Sequence, residues 1–135
     1  MRTDWARTNG CQYRKSLADA FVWKDSIFRV AFEADESVGY ILVFPFTNNG
    51  NRIVNIARLM IDARFQGRGL GRQLLNVALN WISQFSPKVD LVRISTLPDN
   101  NIALSLYKKS GFVEERTEDG EIVLYKENIQ HVANT

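Results

Sequence analysis

The chain has 135 residues, 45% of them hydrophobic and 24% charged, with 17 Lys and Arg against 15 Asp and Glu and a formal net charge of +2. That length fits one domain around a single core, and so even a charge balance excludes a general nucleic-acid binder and leaves any basic feature local. Cys11 is the only cysteine, which excludes an internal disulfide and a cysteine-held metal.

The opening residues MRTDWARTNG lack the apolar run of a leader. In 11–22, CQYRKSLADAFV, the helical spacing of Tyr13, Leu17, Ala20 and Phe21 predicts a helix. Two runs rich in β-branched and aromatic residues, IFRVAFE (27–33) and VGYILVFPF (38–46), flank the charged turn ADES and predict an antiparallel strand pair. YILVFPF is the longest apolar run and is too short to span a bilayer. The expectation is a cytoplasmic protein with no membrane or nucleic-acid partner. Asn49-Gly50 is a strong hairpin dipeptide, and it leads into a third strand, RIVNIARLMI (52–61).

Beyond a glycine-rich stretch, LGRQLLNVALNWISQF sets Leu74, Leu75, Ala78, Leu79, Ile82 and Phe85 on one face, the mark of an amphipathic helix that Pro87 stops. VDLVRIST (89–96) is a short, mostly apolar run of the kind buried in parallel sheet. LPDNN opens a second short helix, NIALSLYKKS, which Gly111 ends in the C′ position. Residues 112–116 and 121–126 flank Asp119-Gly120 and close the chain with a hairpin. The fold class predicted is α/β: a mixed sheet with antiparallel strands first and last and a central βαβ crossover.

Between the third strand and the long helix lies RFQGRGLGR (64–72), which holds three of the eight glycines. A strand feeding a glycine turn into a helix N-terminus aims free N–H groups and the positive end of the helix dipole at one spot, an anion site most often used for phosphate. Arg64, Arg68 and Arg72 add charge beside it. A P-loop would end in Gly-Lys-Ser/Thr, and Leu70-Gly71-Arg72 does not supply this. A dinucleotide fingerprint needs G-x-G-x-x-G and an acidic residue about 20 positions on, at the end of the next strand. Here Gly67, Gly69 and Gly71 run G-x-G-x-G and Asp90 stands at the start of that strand, so a nicotinamide cofactor is not expected. A purely structural turn is the alternative, although one glycine would suffice for it.

IDARFQGRGLGRQLL resembles the acetyl-coenzyme A signature of the GNAT superfamily of N-acetyltransferases, Gln/Arg-x-x-Gly-x-Gly/Ala, with Gln66, Gly69 and Gly71 at its fixed positions. NNIALSLYKKSGF is similar to the same family's second signature through Asn100, Ala103, Leu106, Tyr107, Gly111 and Phe112. The resemblance covers about 27–126, and the first 26 residues match poorly. It implies a GNAT-like acyl-CoA N-acyltransferase fold: one N-acetyltransferase domain over 1–135, with 52–112 as the acetyl-CoA-binding core and 1–26 as a compressed acceptor-side segment.

The resemblance also implies roles. The pantetheine arm of acetyl-CoA would bond to the backbone of Leu59, Met60 and Ile61, and the pyrophosphate would sit on amides of Gln66, Gly67, Arg68, Gly69, Leu70, Gly71 and Arg72. Asn100 would reach the cofactor arm, cap the second helix, or do both. A backbone N–H near Met60 would stabilise the oxyanion. Tyr107 stands where the family places its general acid, and packing of a core tyrosine is the other reading.

A carboxylate base used by the branch that acetylates protein N-termini is missing: Ser95 holds its place, and Asn55 and Arg58 offer none. The acceptor expected is a primary amine of a small molecule or peptide. Its groove would be open, with Trp5, Tyr13, Phe21 and Trp23 as lining or core residues, or completed by a second copy in a homodimer. No metal is expected. A non-catalytic acyl-CoA sensor of the same fold is the rival reading, and a nucleotide-binding regulator is a third. The lone His131 reads as a solvated tail residue.

Overall fold

The computed structural model describes residues 2–5, 25–85 and 87–128. The helix expected over 11–22 lies outside these residues, as do Cys11, Tyr13, Phe21, Trp23, His131 and the side chain of Trp5. The strands are β1 (Arg2–Trp5), β2 (Ile27–Glu33), β3 (Glu36–Asn48), β4 (Asn51–Ile61), β5 (Leu91–Thr96), β6 (Val113–Glu118) and β7 (Glu121–Glu127). They form a seven-stranded sheet in the order β1-β2-β3-β4-β5-β7-β6. The helices are α1 (Leu70–Ile82) and α2 (Asn101–Lys109), and a short 3-10 turn, Ala63–Phe65, follows β4. The sheet is mixed, as the sequence predicts. The β1–β2, β2–β3, β5–β7 and β6–β7 pairs are antiparallel. At the crossover, Asp90 N donates to Arg52 O (2.8 Å) and Arg52 N donates to Asp90 Oδ2 (2.8 Å). Because β4 and β5 thus begin side by side, the two strands run in the same direction.

The chain divides into two compact units, 1–45 with 56–78 and 46–55 with 79–135. In the first, alternation along β2 and β3 makes two apolar faces. One carries Ala31 and Val38, closed by Leu70 and Leu74 of α1 with Leu59, Ile61 and Phe65 packed against them. The other carries Phe28, Val30, Phe32, Tyr40 and Leu42, with Ala57 beside them and the Phe28 and Tyr40 rings stacked at 5.3 Å. The β2–β3 register slips between Ala31 and Phe32, with Gly39 opposite Ala31.

In the second unit, Val92, Ile94, Val123 and Leu124 are buried on β5 and β7. The β6–β7 hairpin turns through Asp119 (φ 51) and Gly120 (φ 79), both in the left-handed region that a two-residue hairpin requires. Every residue of β6 is exposed. Helix α1 ends at Ile82, short of the Phe85 that the apolar spacing suggests. Ser83 Oγ donates to Asn80 O (2.6 Å), while Gln84 N and Phe85 N donate to Trp81 O and Ile82 O. The hydroxyl competes for a helix carbonyl and the last turn tightens to i−3 bonds.

Candidate active site

Leu59, Met60 and Ile61 form the end of β4. The chain then turns sharply: Asp62 N donates to Val38 O (2.8 Å), and Asp62 caps the 3-10 turn by accepting from Arg64 N (3.0 Å). Gln66 closes this turn by donating from Nε2 to Ile61 O (2.9 Å), so the glutamine of the signature ties the loop to the strand that precedes it. Gly67 (φ 80) and Gly69 (φ 76) adopt the left-handed conformation that side chains resist, and a Cβ on either would meet nothing within 4 Å. The glycines therefore turn the chain and also face open space. Gly71 lies inside α1, whose first turn holds no acidic residue. The positive end of the helix is left for an anion.

The three loop arginines are not equivalent. Arg64 is held by Asp62 through Nε–Oδ1 and NH2–Oδ2 contacts of 3.3 Å, with its guanidinium 5.1 Å from the Phe65 ring centre. Arg68 pairs with Glu33 at 2.7 Å and lies 5.9 Å from the same ring. Arg72 is exposed and has no acidic partner among the described residues.

In the second unit, Asn100 is the N-cap of α2, its Oδ1 accepting from Ala103 N at 3.2 Å. Asn100 as a whole is exposed. Tyr107 is the buried residue of α2, its ring tilted at 6.1 Å from that of Phe112. Burial pushes the phenol above its ordinary value near 10, so it holds its proton throughout the neutral range. Its hydroxyl makes no hydrogen bond to another described residue.

Among the described residues, the β4 positions 55 and 58 carry an amide and a guanidinium in place of a carboxylate. Asn55 is buried, and its Oδ1 accepts from Arg93 NH1 at 2.8 Å. Arg58 donates to Ala57 O at 2.9 Å. Glu33 is engaged by Arg68, and Tyr40 is packed on Phe28.

Sequence reasoning missed Gly39. A Cβ there would fall on the Met60 carbonyl oxygen and lie 2.9 Å from Ile61 Cδ1 and 3.2 Å from Ile61 Cα. The signal was a single glycine inside VGYILV, which within a strand marks close backbone approach. Among the described residues no three His, Cys, Asp or Glu side chains group as a metal site, and no helix is long and apolar enough to cross a membrane.

The acetyltransferase (GNAT) domain family matches residues 24–114. The chain is 34% identical over 84 residues to a mycothiol acetyltransferase of Tsukamurella paurometabola, covering 60% of this chain and 28% of that protein. It is 33% identical over 82 residues to a spermine/spermidine N(1)-acetyltransferase of Bacillus subtilis, covering 59% of this chain and 53% of that protein. The chain thus spans about half or less of the length of these curated relatives. The fold is similar to that of a Bacillus subtilis acetyltransferase solved in complex with CoA, with a TM-score of 0.77, 18% identity and coverage of 95% of this chain and 99% of that one.

Proposed function

The chain belongs to the GNAT acetyltransferase family, and on that premise we propose that it moves an acetyl group from acetyl-CoA to a primary amine of a small molecule or peptide. The observation that carries this reading is the loop between β4 and α1. Two left-handed glycines open onto free space before a helix N-terminus without acidic side chains, and Arg72, which has no acidic partner among the described residues, belongs to the first turn of that helix. Those features fit the pyrophosphate of coenzyme A. The backbone of Leu59, Met60 and Ile61 would hold the pantetheine arm, and the amides of Gln66, Gly67, Arg68, Gly69, Leu70, Gly71 and Arg72 would hold the pyrophosphate. The side-chain NH2 of Asn100 would complete the grip while its oxygen caps α2.

Acetyl-CoA, when bound, supplies an activated thioester carbonyl. A neutral amine attacks that carbon, a backbone N–H at the end of β4 stabilises the oxyanion, and the C–S bond breaks. Tyr107 would then give its proton to the departing thiolate and regain one from solvent, and burial keeps the phenol protonated in the neutral range. Among the described residues no carboxylate is proposed to take the amine's proton, so the acceptor would lose it to solvent. The protein would act in the cytoplasm. Its acceptor groove would be completed by residues 1–26 or by a second copy of the chain.

Millimolar acetyl-CoA is expected to raise the melting temperature, because a ligand selective for the folded state stabilises it by mass action. A panel of primary amines should then release free thiol. An unchanged melting curve would end the reading. Binding without thiol release from any amine would turn it into the sensor alternative.

A further inference from the structure

We propose that Gly39 is a positioning residue for acyl transfer: by lacking a side chain it lets the Met60 carbonyl turn onto β3, which aims the Ile61 N–H away from the sheet ladder as the donor for the thioester oxygen. The inference rests on the acetyl-transfer reading above and adds a residue that neither signature contains.

Gly39 sits inside a run of β-branched and aromatic residues, where a glycine weakens the strand unless its lack of a side chain is used. Its φ is not among the left-handed values, so any residue could adopt its backbone conformation. The requirement is space. A Cβ built on Gly39 meets the Met60 carbonyl oxygen first, ahead of Ile61 Cδ1 at 2.9 Å and Ile61 Cα at 3.2 Å. The carbonyl carbon is not among these nearest atoms, so the C=O bond points at Gly39. In a trans peptide the N–H points opposite to the C=O. The Ile61 N–H is therefore directed away from Gly39.

That peptide is pinned on its far side. Ile61 O accepts from Gln66 Nε2 at 2.9 Å, and Asp62 N donates to Val38 O at 2.8 Å, so the chain re-engages β3 one residue later. The register slip between Ala31 and Phe32 falls beside the same spot, with Gly39 opposite Ala31. Two of the three atoms that a methyl group would strike are backbone, which cannot swing aside as the end of a side chain can. Gly39→Ala must rotate or displace the Met60–Ile61 peptide, and hydrogen bonds weaken steeply as their angle opens.

Removing a donor that stabilises an oxyanion costs about 10²–10³ in kcat, so re-aiming one should cost roughly 10- to 100-fold. The test uses amide NMR on the wild-type protein and kinetics on two variants. In the wild type, replacing coenzyme A by acetyl-CoA should move the Ile61 amide proton downfield, while the Gly67 and Gly69 amides respond alike to both ligands. In Gly39→Ala, kcat should fall roughly 10- to 100-fold, and by more than coenzyme A affinity, because the displaced peptide supplies only part of the cofactor grip. Val43→Ala removes buried contacts from the same strand and should keep kcat within about threefold, which separates aim from stability. An Ile61 amide indifferent to the acetyl group, or a folded Gly39→Ala protein with wild-type kcat, would overturn the proposal. Loop amides silent to both ligands would instead overturn the acetyl-transfer reading itself. Should Gly39→Ala fail to fold, the wild-type amide measurement decides.

Discussion

The glycine loop in the first unit and Tyr107 in the second offer opposite surroundings to the two halves of the proposed chemistry. The loop is exposed and cationic, with open space in front of Gly67 and Gly69. Tyr107 is 8% exposed and packs against Phe112. A site for a large, highly charged ligand must be reachable and lined with donors that need no rearrangement. For Tyr107 the reverse condition holds, and loss of water keeps the proton on the phenol oxygen across the neutral range. Binding and chemistry should therefore fail separately when each region is altered.

The largest effect is expected from Gly69→Asp. The side chain would enter open space, but its carboxylate would lie before the amides and repel the pyrophosphate. Coenzyme A affinity should fall on the order of 10²-fold or more, measured by calorimetry. Holding a non-glycine residue at φ 76 costs about 1–2 kcal/mol, so the protein should remain folded. Normal affinity in the folded variant would break the contrast at its first term.

Next comes Tyr107→Phe, which removes only the hydroxyl. If the phenol protonates the thiolate, kcat should fall roughly 10²-fold with coenzyme A affinity unchanged. Nearly full activity would mean that Tyr107 only packs. The same variant has a second readout. The folded-state pKa of Tyr107 is raised by burial, so above about pH 10 the unfolded chain loses this proton while the folded chain keeps it. Its contribution is complete below that pH and declines as pH rises toward the folded-state pKa. The phenylalanine variant should lack this part of the alkaline loss of stability in denaturant titrations.

The smallest effect sharpens the loop itself. Arg64 and Arg68 are already engaged by Asp62 and Glu33, whereas Arg72 has no acidic partner among the described residues. Arg72→Ala should weaken coenzyme A binding about three- to tenfold at low salt, and Arg64→Ala less than about twofold, because exposed pairs are individually weak and screened. Equal losses would mean that total charge matters and the pairing pattern does not.

The fold was legible where apolar period and turn chemistry agree. Asn49-Gly50 and Asp119-Gly120 announced hairpins that do turn through left-handed pairs, and the spacing of Leu74, Leu75, Ala78 and Ile82 announced the buried face of α1. The end of that helix was not legible, because the Ser83 hydroxyl that unsettles it acts locally against a favourable apolar period. The turn of the loop was legible because glycine announces left-handed backbone by identity alone, as Gly67 and Gly69 do. Pairings such as Arg68 with Glu33 or Asn55 with Arg93 join residues far apart in sequence and depend on strand register. Gly39 lay between these cases: its identity hinted at a close approach, but only the fold shows that the partner is the Met60 carbonyl.

Strand β6 sits at the end of the sheet order, and four residues of its exposed run VEERTE are charged. Lys108 pairs with Glu114 at 2.9 Å, and Arg116 reaches both Glu115 and Glu118. An open strand edge is a template for further strands, and unchecked it leads toward fibrils. Here a newcomer aligned along β6 would have to strip water from these ions and disturb their pairing, which apolar contact at Val113 alone is too small to offset. At this edge the sheet carries its own stop to growth.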